Sequence, residues 1–112
     1  MTMTTSATPI LRICAATLAL ALAAAGCDDG AVIDSMGWVQ YRLGNLPEAL
    51  NYLKRAYERV PDGEVAAHLA EVLWSAGQRD EATALWREAM QRWPETPALI
   101  DSIRRLQPTL LP

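Results

Sequence analysis

From Val32 onward, apolar residues recur at helical spacing and are interrupted at fixed intervals by glycine and proline. Over residues 31–43 the apolar positions Val32, Ile33, Met36, Val39 and Leu43 mark one face of an α-helix, and residues 64–76 repeat the pattern. Gly44 and Gly77 follow these segments, each suited to the left-handed backbone that ends a helix. Pro47 then fits the first turn of a new helix, where its missing N–H costs nothing. In the second unit Asp80 holds the same place and favours the positive helix start. Helices are therefore expected over 47–59 and 80–92, stopped by Pro61 and Pro94. Residues 97–106 put Leu99, Ile100, Ile103 and Leu106 on one face, with Asp101, Arg104 and Arg105 opposite. A short fifth helix within residues 96–107 is expected to cover the exposed end of the second hairpin. The tail, 108–112, is expected to fray.

The two hairpins are copies. Sliding residues 29–61 over 62–94 aligns ten identical pairs: Asp29/Asp62, Gly30/Gly63, Val32/Val65, Val39/Val72, Gly44/Gly77, Glu48/Glu81, Ala49/Ala82, Ala56/Ala89, Arg59/Arg92 and Pro61/Pro94. Background composition would give roughly two or three. Such self-similarity marks a repeat architecture, with units of about 30–61 and 63–94 in a region spanning 28–95. Small residues predict the packing: Gly37 opposite Ala49 in one hairpin and Ala70 opposite Ala82 in the next, with Leu53, Trp86, Leu69 and Met36 filling the space beside them. Ala56 and Ala89 would admit the first helix of the following unit.

This punctuation resembles the tetratricopeptide repeat family. The first copy has Gly37, Gly44, Ala49, Ala56 and Pro61 at the signature positions; the second has Leu69, Ala70, Gly77, Ala82, Ala89 and Pro94. Ile33 and Ala66 replace the usual tryptophan, Gln40 and Leu73 the usual tyrosine, and the period is one residue short of the family's 34. Residues 34–44 are similar to the last repeats of longer bacterial envelope proteins of this family. The resemblance implies an all-α fold: two helical hairpins in a right-handed α-solenoid, then a capping helix. It also implies a concave groove lined by the first helix of each hairpin. In this chain the lining positions fall on Asp34, Trp38, Tyr41 and Arg42, then on Ala67, Glu71, Trp74 and Ser75, with His68 beside them. Trp38, Tyr41 and Trp74 stand off the hydrophobic seam expected from Met36, Val39, Leu69 and Val72; off-seam aromatics either bind a partner or shield the hairpin junctions. The lysine and asparagine clamp of chaperone-binding members is missing, because its positions carry Asp34, Trp38, Ala67 and Glu71. Such a groove suits an apolar or weakly basic segment.

The first quarter of the chain reads differently. Between Met1 and Gly30 the charged side chains are Arg12, Asp28 and Asp29 alone. Residues 13–25, apolar but for Thr17, have the length of a signal-peptide hydrophobic region and fall short of the roughly 20 residues that span a bilayer. The stretch from Leu22 to Cys27 resembles the lipobox of bacterial lipoproteins, with Ala24 where leucine is usual; this implies a signal peptide over 1–27 and a lipid anchor on Cys27. An aspartate directly after the cysteine, here Asp28, goes with inner-membrane retention in enteric bacteria. Two alternatives stay open: cleavage after Ala25 to give a periplasmic protein, or an accidental leader fused to a fragment of a longer repeat protein. Residues 28–31 have the look of a preceding repeat's tail.

Composition then narrows the function. The net charge of −3 and the lack of a basic cluster argue against a nucleic-acid partner; Lys54-Arg55 and Arg104-Arg105 read as solvated helix charges. Both cysteines, Cys14 and Cys27, lie in the leader, so no disulfide framework or cysteine metal site is expected in the folded part. His68 and Glu71, three apart on one helix face, could share a proton or metal but lack a third ligand. No phosphate loop, nucleophile elbow or Cys/His cluster occurs. No cofactor and no catalysis are expected. The expectation is a protein-interaction adaptor of the bacterial envelope, anchored or periplasmic, that binds a peptide or partner protein in its groove. The alternative is a structural piece, a truncated end of a larger repeat protein with no ligand of its own. Because about three repeats are normally needed for a continuous core, Val32, Ile33, Met36 and the face of residues 50–57 are expected to stay partly bare, promoting self-association or docking on a larger protein.

Overall fold

The computed structural model describes residues 29–112. The leader, Cys27 and Asp28 lie outside them. Five α-helices follow in order: α1 (Gly30–Arg42), α2 (Leu46–Arg59), α3 (Gly63–Ser75), α4 (Arg79–Arg92) and α5 (Pro97–Leu106), then a 3₁₀ turn over Pro108–Leu110. Among the described residues there is no strand. The chain is an all-α helical solenoid.

Local chemistry sets each boundary. The Asp29 carboxylate accepts the Ala31 N–H at 3.0 Å, and Asp62 accepts the Val65 N–H at 2.8 Å, so the duplicated aspartate caps α1 and α3. Asp29-Gly30 thus opens the first hairpin as Asp62-Gly63 opens the second. At Gly44 and Gly77 φ is +84° and +85°. There the Asn45 N–H bonds the Gln40 carbonyl while the Gly44 N–H bonds that of Tyr41, and Gln78 and Gly77 do the same to Leu73 and Trp74. These paired bonds satisfy the last carbonyls of α1 and α3 and reverse the chain. Val60 and Trp93, each ahead of a proline, leave the helical region at φ −133° and −136° and end α2 and α4.

The core is built around α3, which packs on α2, α4 and α5. Ala49, Ala56, Ala70, Ala82 and Ala89 expose nothing, and Leu53, Trp86, Leu99 and Ile103 fill the spaces between them. Buried Trp86 donates its Nε1–H to Ser102 Oγ at 2.7 Å, tying α4 to α5 and satisfying both polar groups. Gly37 also meets Tyr52, which the small-residue pairing did not include.

Three other expectations change. Val39 is 54% exposed, so it is not part of the hydrophobic seam, although its copy Val72 is fully buried. Ile33 is closed off against Ala56 and Val65, whereas Val32, Met36, Leu50 and Tyr57 stay partly open and Val39, Leu43 and Val60 are more exposed still. The tail is not frayed: the 3₁₀ turn lays Leu110 and Leu111 against the core, giving those side chains apolar contact that a loose end would forgo.

Candidate binding face

The first helices α1, α3 and α5 lie side by side, joined by polar contacts that the sequence reading did not foresee. His68 Nδ1 lies 2.9 Å from both oxygens of Asp34. The Tyr41 hydroxyl and Ser75 Oγ are 3.0 Å apart. Arg105 donates to Glu71 through Nη2 at 2.9 Å and Nη1 at 3.3 Å. All three pairs are separated by 34 residues, which links one first helix to the next. That recurring interval between complementary polar residues was the available signal, but the 33-residue identity period drew attention away from it.

These contacts redistribute the expected groove. Asp34 and Glu71 are only 8% exposed and Ala67 is buried, so none of the three is an open lining residue. His68 and Glu71 do not act as a pair, since each turns to a partner on a neighbouring helix. Among the described residues no group of three His, Cys, Asp or Glu could hold a metal. Burial opposes protonation of His68, but the hydrogen bond and charge of Asp34, with Glu64 and Glu71 behind them, outweigh it and raise its pKa. Arg105 is no merely solvated charge: Glu71 first, then Asp101 at 2.9 Å, hold its guanidinium firmly protonated.

The aromatics remain at the surface of this lattice. Trp38 is half-buried, stacked on His68 with ring centres 4.3 Å apart and tilted against Tyr41 at 5.0 Å. Trp74, also half-buried, lies 5.6 Å from buried Trp86 and under the Arg79 guanidinium, 4.5 Å from its ring centre. Trp74 thus shields its own hairpin junction, whereas Trp38 bridges two repeats. Arg42 stays exposed in the last turn of α1. Chemically the face offers flat aromatic surface with its nearby carboxylates already hydrogen-bonded.

Stacked helical hairpins whose first helices form a continuous face define an α-solenoid of the helical-repeat class. Residues 64–95 match the tetratricopeptide repeat family model. A TPR repeat-containing protein of Pseudomonas aeruginosa is 59% identical over 44 residues, a match that takes in 39% of this chain and 8% of that protein's length. The chain thus resembles that family over its second hairpin, α3 and α4. It spans a small part of this far longer relative. Among the described residues no helix is long and apolar enough to cross a membrane.

Proposed function

We propose that the chain is a protein-interaction module that takes an apolar segment of a partner protein on the face of α1, α3 and α5. The observation that carries this reading is the Trp38–His68–Tyr41 cluster, half-open at the surface while Asp34 and Glu71 are already paired. Large aromatics in such settings dominate binding energy, each removal costing about 2 kcal/mol or more at a hot spot. The test uses peptides selected against the chain from a displayed library. Trp38→Ala should weaken them by at least about tenfold, consistent with hot-spot truncation, and leave the far-ultraviolet circular dichroism unchanged. Selected peptides that bind the variant as well as the parent would remove the reading. Trp74 is a poorer probe because it also packs on Trp86.

An envelope location, with Cys27 as the lipid-bearing residue, is part of this proposal and rests on the sequence of residues 13–27. Metabolic labelling with a fatty acid should mark the chain and be lost in Cys27→Ser; equal labelling of both would reject the anchor.

A second reading, a structural piece of a longer stack, is favoured by the exposure of Val39 and Leu43 on α1 and by the small share of the Pseudomonas relative that this chain matches.

A further inference from the structure

On the other side of the hairpins, the second helices α2 and α4 stand apart over α3 and leave a groove of about 430 Å³. Its floor is apolar, made by Leu69 and Leu73 of α3 and Leu85 of α4. Glu58, Glu81 and Glu88 stand around it, and Lys54 is the one basic side chain among the residues that line it. On the first-helix face Glu71 has a close cationic partner in Arg105 and Asp34 is hydrogen-bonded to His68, but here Glu88 keeps only a loose 3.5 Å contact with Arg92. Tyr57 completes the wall. Its hydroxyl is shut off from solvent, with the Glu88 and Arg92 side chains near it.

We propose that this groove is a second docking surface, and that its occupant is a basic amphipathic segment of a partner protein. An apolar side chain of that segment rests on Leu69, Leu73 and Leu85, and lysine or arginine on either side meets Glu81, Glu88 and Glu58. Charge complementarity selects this occupant: three carboxylates against one ammonium surround an apolar floor, so an acidic or uncharged polar segment would lose either the ion pairs or the burial. The surface is separate from the Trp38 face, and neither proposal depends on the other.

The probe is a short amphipathic helical peptide of leucine and lysine, compared with its counterpart of leucine and glutamate by fluorescence anisotropy and by amide shift mapping on the full chain. The lysine peptide should bind, the glutamate peptide should not, and the shifts should centre on Ala84 and Leu85. Glu81→Gln with Glu88→Gln should weaken binding about fivefold, the loss expected of two exposed ion pairs. Glu48→Gln with Glu95→Gln changes net charge equally and also removes one acid from the first turn of a second helix, yet should leave affinity unchanged. Equal weakening in the two double variants would reduce the effect to general attraction by an acidic chain and overturn the proposal. Shifts centred on Trp38 and Tyr41, or no binding of the lysine peptide, would overturn it too.

Discussion

His68 shows how a single residue takes its chemistry from its neighbours. With Asp34 2.9 Å away its pKa is raised above 6.5, so the folded chain holds the imidazolium more firmly than the unfolded chain does. The stabilisation is therefore complete below pH 6.5 and is lost as pH climbs through the higher folded-state value. Urea midpoints should fall over that range in the parent chain and change less in Asp34→Asn. A His68 that titrates below 6.5 by nuclear magnetic resonance would refute the pairing. In the sequence only the 34-residue interval from Asp34 to His68 pointed to it. His68 stands three residues from Glu71 on one helix face, a pair that lacked a third ligand and gave no role for the histidine. The chosen partner lies one repeat away because α1 and α3 pack side by side.

At the level of elements, punctuation carries most of the information. Aspartate before α1 and α3, glycine after them and proline beyond α2 and α4 each act through local backbone chemistry, so the five helices were readable to within a residue or so. Gly77 gives a clean test, because a Cβ there would meet nothing within 4 Å and only the backbone at φ +85° is at issue. Gly77→Ala should cost about 1 kcal/mol in chemical denaturation, the scale of a left-handed alanine, whereas Gly77→Asn should cost less. A neutral alanine variant would mean that the left-handed turn does not hold the hairpin. Where the reading missed at this scale, long-range packing intervened: Ile33 is closed off against Val65 of α3, and Leu110 folds back on the core.

For the whole molecule, the governing fact is the apolar surface left open along α1. Val32, Met36, Val39 and Leu43 run along α1 as their copies Val65, Leu69, Val72 and Ala76 run along α3. The copies Val65, Leu69 and Val72 are buried in the stack, while Val39 and Leu43 remain 54% and 66% exposed. Burying such side chains is worth roughly 1.5–3 kcal/mol each, so the chain should self-associate in sedimentation as its concentration rises. Val39→Glu with Leu43→Glu should return it to a monomer without loss of helicity. A parent chain that stays monomeric throughout would argue against the bare stripe as a contact surface. The sequence alone determined the helices, their pairing into hairpins and the duplication, since periodicity, caps and breakers act over a few residues. Only the tertiary structure decided which aromatics stay open, which carboxylates are already hydrogen-bonded and which valine of an identical pair is exposed, because these depend on which helix lies next door.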